Sequence, residues 1–417
     1  MELRRVVITG LGALTPIGNS CNEYWENLLL GVSGACPISR FDPTLFKTRF
    51  ACEVKNFDVL KYVDIKESRK MDLFAQYAIA SASEAMDDAK IDLSSVNLGR
   101  AGVIWGTGIG GFTTCAEEMD VFARGDGSPR FSPFFIPKII ADIAAGQISM
   151  RFGLKGPNYV TTSACASAAN AIADAFNLIR LGKADFIITG GSEAPISPAG
   201  VGGFNSMQAM STRNDSPTTA SRPFDRDRNG FVIGEGSGAL VVEELGHAIK
   251  RGAKIYAEIG GCGLSADAYH LTAPQPDGEG AYLAMKNSLE EAEIPIEAVD
   301  HINTHGTSTP LGDIAEVKAI QSLFGEHAYR IHINSIKSMI GHLLGAAAAV
   351  ESVATVLTIY HDIVPPTINH FEDDENIDNK LNFTFNKAQK RTVNVAMSNA
   401  FGFGGHNTSL LFKKYKV

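Results

Sequence analysis

Cys165 lies in the stretch Tyr159-Val-Thr-Thr-Ser-Ala-Cys-Ala-Ser-Ala-Ala-Asn-Ala-Ile172, where a β-rich run gives way to small residues that open a helix. This switch predicts a sulfur at a helix N-terminus. Unpaired backbone N–H groups and the positive end of the helix dipole lower a thiol pKa there and favour the nucleophilic thiolate. Alone, a free Cys is more often a small apolar packing residue. Two histidine segments shift that balance: Asn303-Thr-His-Gly-Thr-Ser-Thr-Pro310, after the strand-like residues 299–302, and Lys337-Ser-Met-Ile-Gly-His-Leu-Leu-Gly345, opening an Ala-rich helix. His305 and His342 are thus each expected at a strand-to-helix junction. Near the C-terminus, Ser398-Asn-Ala-Phe-Gly-Phe-Gly-Gly-His-Asn-Thr408 is a glycine-dense turn whose N–H groups are free to complete an oxyanion hole.

The elements that must position these groups are short apolar strands alternating with amphipathic helices. Strands are expected at 6–9, 101–106, 158–162, 185–190 and 238–243, with helices at 21–30, 70–88 and 166–181. A second series follows, with strands at 255–260, 301–304, 331–335, 393–398 and 407–412 and helices at 280–292, 313–323 and 343–360. Such alternation predicts a layered α/β architecture. The chain reads as a duplication, residues 1–252 carrying the Cys and residues 253–417 carrying both His. Its trace is the match between Cys165-Ala-Ser-Ala-Ala-Asn-Ala-Ile and His342-Leu-Leu-Gly-Ala-Ala-Ala-Ala-Val, two small-residue helices each beginning beside a reactive side chain.

At 417 residues with 45% hydrophobic and 20% charged side chains, one large globular unit is expected, and no low-complexity linker divides it. The apolar run at 343–350 is interrupted at Glu351, too short for a bilayer span. Met1 leads directly into the first strand without the apolar core of a signal peptide, so a cytoplasmic enzyme is expected. Six cysteines without a C-x-x-C pair suggest neither a zinc knuckle nor a dithiol redox site. A formal charge of −9 argues against a nucleic-acid partner, because phosphate binding needs a concentrated basic face.

Cys165, His305, His342 and the glycine turn together resemble the β-ketoacyl-[acyl-carrier-protein] synthases, most closely those of the synthase II type. The resemblance runs from Val6-Val-Ile-Thr-Gly-Leu-Gly-Ala-Leu-Thr-Pro-Ile-Gly18 through Arg222-Pro-Phe-Asp-Arg-Asp-Arg-Asn-Gly-Phe231 to Leu410-Leu-Phe412. It implies a thiolase-like fold, two similar five-stranded halves in α-β-α-β-α layers with the site between them. It also implies elongation: an acyl group on Cys165 is attacked by the carbanion equivalent left when a malonyl thioester loses CO2. Under the resemblance, the backbone N–H groups of Cys165 and Phe403 form the oxyanion hole, and His305 and His342 donate to the enolate oxygen. Lys337 matches the family's active-site lysine and pairs with Glu351, in support of catalysis or as a structural ion pair only. Asn303, Glu351, Ser398 and Asn399 match positions that hold a structural monovalent cation in some members; no other cofactor is required.

Thr307 and Thr309 match contacts to the phosphopantetheine arm, which arrives on an acidic acyl carrier protein. Ile109, Phe204 and Phe403 are the apolar candidates for the acyl pocket, Phe403 as its gate. Lys66, Arg69 and Lys70, spaced to share one helical face, are the candidate docking patch for the carrier. A homodimer is implied by the family alone. His406 replaces the Thr found at that place in many relatives, which puts extra bulk beside the gate.

Thiolases need a second catalytic Cys in the C-terminal half, and Cys262 in Gly260-Gly-Cys-Gly263 has no matching context. Coenzyme A-primed initiating synthases use Cys, His and Asn, whereas the second motif here carries His342. A silent chain-length partner lacks the nucleophile. A ketosynthase of a polyketide or aryl-polyene pathway, with the same triad, is the remaining alternative.

Overall fold

The nine residues Val6–Leu14 are apolar or small and all buried, as a strand covered on both faces requires. They form β1 in the computed structural model, which describes residues 3–416. The first half continues with β2 (Ala101–Gly106), β3 (Asn158–Thr161), β4 (Phe186–Glu193) and β5 (Gly236–Glu244). The second half contributes β6 (Ala257–Ala266), β7 (His301–Asn303), β8 (His332–Asn334), β9 (Val395–Gly402) and β10 (His406–Lys413). Hydrogen bonds run through all ten in the order β8-β7-β9-β10-β6-β1-β5-β4-β2-β3. Within each half the order is therefore the same: third, second, fourth, fifth, first. The two copies join edge to edge, antiparallel, where Val6, Val7 and Ile8 of β1 face Ile259, Glu258 and Ala257 of β6.

Helix α1 (Leu73–Ala89) covers the outer face of the first half, on β1, β5 and β4. Helices α3 (Glu279–Ala292) and α4 (Pro310–Phe324) cover the second, α3 on β6 and β10 with α4 beside it. Between the halves lie α2 (Ser167–Arg180) and α5 (Ala347–His361), in contact with each other and with strands of both copies. Helix, sheet, helix, sheet, helix is the layering this produces. Every residue of α5 from Ala347 to Ile359 is buried, because sheets close on it from both sides. By length and composition alone the stretch Leu344–His361 passes for a bilayer span, at a mean hydropathy of 1.3 over 18 residues. It is instead 89% buried inside the protein, so packing rather than the interruption at Glu351 settles its place.

Several expected boundaries move. The predicted match of Cys165 with His342 is out of register: both central helices are entered through identical 3₁₀ turns, Ala164–Ala166 and Leu344–Ala346, with Ala164 at φ 49° and Leu344 at φ 47°. Cys165 therefore corresponds to Gly345, and the α-helices start at Ser167 and Ala347, later than expected. Strand β4 runs on past Gly190 to Glu193. Its glycines are not breakers, for a Cβ on Gly190 would lie 2.0 Å from the Gly238 carbonyl oxygen and one on Gly191 2.8 Å from the Ala168 Cβ. The expected helix from residue 70 begins at Leu73, where Asp72 caps the Phe74 N–H. Three helices between β2 and β3 (Phe112–Arg124, Phe135–Ile139 and Ile143–Phe152) were not expected at all.

Gly345 is where the copies approach most tightly, since a Cβ there would sit 2.2 Å from the Gly108 nitrogen. Gly345→Ala is expected to lose about 1–3 kcal/mol through overpacking, whereas Gly203→Ala, on a helix with nothing within 4 Å of the new Cβ, should be neutral or stabilising. Thermal unfolding of the two variants beside the parent checks both signs.

Candidate active site

Cys165 Sγ and His342 Nε2 are 3.0 Å apart. The His305 ring stands edge-on to that of His342, at 5.4 Å between centroids and 87° between planes. The sulfur and one nitrogen of each ring all lie within 4.8 Å of one another. Each is delivered by a different break in the chain. Cys165 is the middle residue of the 3₁₀ turn into α2. His305 follows β7 in a loop whose N–H groups at 305 and 306 donate to the Glu316 carboxylate, at 2.9 and 2.8 Å. His342 does not open the Ala-rich helix: a four-residue helix, Lys337–Ile340, ends at Gly341 with φ 71°, and His342 sits in the gap before the turn into α5. Its N–H donates to the Val232 carbonyl at 2.7 Å and its carbonyl accepts from the Gly234 N–H at 2.9 Å. The Arg222–Phe231 motif thus leads directly into the segment that holds His342.

Behind the histidines, away from the cavity, Lys337 Nζ donates to Glu351 Oε1, both side chains wholly buried. Burial and the Lys337 cation hold His305 and His342 well below the ordinary imidazole range, so both rings are neutral and each offers one ring N–H. The expected low thiol pKa is not found. Burial pushes the Cys165 thiol up to about 11, against the opposing pull of the Phe403 backbone N–H and of Lys337. The resting nucleophile is a thiol in contact with a neutral imidazole. The sulfur and the two ring nitrogens are close enough to share a metal ion, but a metal takes the thiolate and burial keeps this sulfur protonated.

Above the sulfur, β9 ends at Gly402. A Cβ on that residue would lie 2.7 Å from the Ser163 carbonyl oxygen and 3.1 Å from the Cys165 nitrogen, so only glycine lets the Phe403 and Cys165 amides converge. Gly404 and Gly405 follow at φ 88° and 76°. Their turn is tied to a facing strap: the Gly404 N–H donates to the Leu271 carbonyl at 2.8 Å, the Asp267 N–H to the Gly405 carbonyl at 2.9 Å, and Asn407 Nδ2 to Asp267 Oδ1 at 2.6 Å. His406 is exposed, its ring over Gly404.

A cavity of about 580 Å³ connects these groups. Ile109, Phe204, Phe403, Thr307 and Thr309 all line it together with the triad. Ile109 and Phe204 share an apolar cluster with Leu344 and Phe231, and the Thr307 and Thr309 hydroxyls are 3.1 Å apart. Lys337, Glu351, Asn303, Ser398 and Asn399 do not face the cavity. Asn303 Oδ1 and Glu351 Oε2 are buried oxygens without a hydrogen-bond partner, whereas Asn399 already donates to Glu316 and accepts from Ser409. Unsatisfied hard oxygens of this kind fit a monovalent cation.

Lys66, Arg69 and Lys70 do not share a helix. Ile65–Ser68 is a single turn, Arg69 caps it, and Lys70 Nζ is held 2.5 Å from Glu67 Oε1, leaving Lys66 and Arg69 as the exposed pair. Two carboxylates were missed by sequence reasoning. Glu316 positions His305; its sign in the sequence is a pair of acids, Asp313 and Glu316, one turn apart on the buried face of α4. Glu193 lines the cavity beside Cys165, and nothing marks it in the sequence because its strand reads as ending at the glycines.

With this geometry in place, comparison with known proteins is specific. Residues 3–248 match the beta-ketoacyl synthase N-terminal domain and residues 256–371 the C-terminal domain. The chain belongs to the beta-ketoacyl synthase family. It is 48% identical over 416 residues to a "3-oxoacyl-[acyl-carrier-protein] synthase 2" of Synechocystis sp., covering 100% of this chain and 99% of the relative. A beta-ketoacyl synthase from Burkholderia phymatum superposes with a TM-score of 0.92 at 35% identity, over 99% of this chain and 100% of that one. A type II PKS ketosynthase, solved with its acyl-carrier protein and a bound hexaketide, superposes with a TM-score of 0.89 at 32% identity, covering 100% of both chains.

If the Lys337 field keeps the histidines neutral, its removal must raise their pKa values. Lys337→Met paired with Glu351→Gln, which avoids stranding a buried charge, is expected to move the acid limb of the pH–rate profile to higher pH. An acid limb in its original place would mean that burial alone sets the charge of the rings.

Proposed function

We propose that this chain is an elongating β-ketoacyl-[acyl-carrier-protein] synthase of type II fatty acid synthesis, an acyltransferase that extends a carrier-bound chain by decarboxylative Claisen condensation. The observation that carries the reading is the pair of neutral imidazoles beside a thiol under two converging amides. In the first step Cys165 Sγ attacks the acyl thioester and the thiol proton leaves on the departing pantetheine thiol, so that the neutral His342 ring keeps its N–H for the step that follows. The tetrahedral oxyanion is held by the N–H groups of Cys165 and Phe403, each worth about 3 kcal/mol or more in such holes. In the second step the malonyl thioester loses CO2, and the electron pair left behind forms an enolate whose oxygen accepts from His305 and His342. Neutral donors suit this step, because no proton must be removed to start it. In the third step the enolate carbon attacks the acyl-Cys carbonyl; collapse expels the Cys165 thiolate, which takes up one proton as β-ketoacyl product departs.

Thr307 and Thr309 would hydrogen-bond a phosphopantetheine arm, and Ile109, Phe204 and Phe403 would bound the acyl chain, a reading supported by the position of all five in the cavity lining. The partner proposed is an acyl carrier protein, met at Lys66 and Arg69. A homodimer is supported by β3, an edge strand whose Asn158 and Tyr159 are exposed, and by the exposed apolar Met150 on the helix packed against it. A structural monovalent cation at Asn303 and Glu351, with Ser398 and Asn399 adjoining, would be coordinated by the unpartnered Asn303 Oδ1 and Glu351 Oε2. A cytoplasmic site of action goes with this reading. A polyketide or aryl-polyene ketosynthase would use the same machinery, and product analysis with purified carrier proteins separates the two.

His305→Ala and His342→Ala are expected to lose malonyl decarboxylation roughly 10²-fold or more. His305→Ala should keep Cys165 self-acylation, while Cys165→Gln, imitating the acylated side chain, should still decarboxylate without condensing. Normal condensation by both histidine variants would reject the enolate role.

Charge reversal of Lys66 and Arg69 together should raise KM for carrier-bound substrate at low salt and flatten the salt dependence of the rate. Unchanged low-salt kinetics would place the docking surface elsewhere.

A further inference from the structure

Glu193 closes β4 inside the cavity wall, fully buried, and among the described residues it has no ion-pair partner. Four donors converge on its carboxylate instead. Thr107 Oγ1 donates to Oε1 at 2.5 Å, the Ile109 N–H to the same oxygen at 3.3 Å, and the Gly345 N–H to Oε2 at 3.2 Å. The Gly108 N–H is the fourth. An ionised carboxylate only accepts, so every one of these contacts serves the anion. Three of the four donors belong to one loop, residues 107–109. Gly110 at φ 57° ends that loop, and its N–H donates back to Thr107 Oγ1 at 3.2 Å. The side chain the loop carries is Ile109, packed in the acyl-pocket cluster with Phe204 and Leu344. The fourth donor, Gly345, belongs to the other half of the molecule.

We propose that Glu193 is the latch of the acyl pocket: its carboxylate holds the Thr107–Ile109 loop closed, and entry of a long acyl chain frees the loop as Glu193 takes up one proton. This rests on the ketosynthase reading above. When the loop swings out, three donors leave together. The remaining anion is buried with one N–H and no cation, and protonation removes that cost. The charged or titratable groups around it do not supply a counterion: Cys165 and His342 on the central turns are neutral, and Glu235, beside it on the neighbouring strand segment, is bound to Arg40 and Tyr77. Lys337 is held by Glu351. Burial already lifts the Glu193 carboxyl to about 7 with the loop closed, and loss of donors raises it further. Opening therefore takes up a proton above about pH 7, where the closed form is ionised and the open form is not, and the open form gains as pH falls towards 7. Glu193 is a positioning residue here, acting on substrate through Ile109.

The test is kcat/KM for Cys165 acylation by hexanoyl and by myristoyl carrier thioesters from just below pH 7 upward. Titration of Cys165 or His342 affects both primers alike and cancels in their ratio. The long-to-short ratio of the parent protein should rise as pH falls towards 7, with a limiting slope of about tenfold per pH unit, and level off below it. In Glu193→Gln, neutral at every pH, the ratio should be independent of pH and higher than the parent's at alkaline pH. Thr107→Val, which removes one donor and leaves the carboxylate, should raise the ratio at alkaline pH while keeping a pH slope, and serves if the Gln variant does not fold. A flat ratio in the parent, or a slope that persists in Glu193→Gln, would overturn the latch. If even hexanoyl fails to acylate Cys165 in the parent, the ketosynthase reading falls instead.

Discussion

The site depends on how closely the two halves of the chain meet at their central turns. Gly345 rests against Gly108, Gly402 against the Cys165 turn, and Gly191 against Ala168 and the Gly345 carbonyl. A Cβ at these places would lie 2.2, 2.7 and 2.8 Å from its nearest neighbour, so the packing around each would have to open. Because none is present, a thiol from the first half and an imidazole from the second come to 3.0 Å. The small-residue helices α2 and α5 serve the same end, letting two sheets close on one buried layer.

That closeness excludes water, and exclusion of water then sets the charges. Burial raises the Cys165 thiol and depresses both histidines, with Lys337 adding to the second effect and opposing the first. Lys337 and Glu351 are tolerated only as a pair, since either alone would be an uncompensated buried charge. Glu316 and Glu193, also raised to about 7, are held by N–H and side-chain donors rather than by cations. The result is a set of neutral imidazole and amide donors around one nucleophile, suited to chemistry in which negative charge appears on oxygen and must be met by hydrogen bonds already in place.

Much of this was legible in the sequence where chemistry is local. Cys165, His305, His342 and the Gly402–Gly405 turn announce themselves by residue type against their neighbours, and the alternation of apolar runs with amphipathic ones implies a layered α/β fold. The repeated strand order is less visible, because only the turns into α2 and α5 retain a common pattern, and even these align Cys165 with Gly345 rather than with His342. Lys66, Arg69 and Lys70 had helical spacing, but Asp64 caps a helix of one turn and Lys70 turns to Glu67. Spacing describes a face only as long as the helix lasts.

What the sequence by itself determined is the set of reactive groups and the kind of elements that carry them, since both follow from side-chain chemistry and from periodicity along the chain. What only the tertiary structure decided is their charge and their company. The thiol pKa reverses from its expected direction because desolvation, a property of everything packed around the sulfur, outweighs the nearby amide and cation. Glu193 and Glu316 become part of the site because donors brought from distant segments, at Gly345 and Asn399, converge on them. Burial and convergence depend on residues far apart in the chain, and no local pattern encodes them.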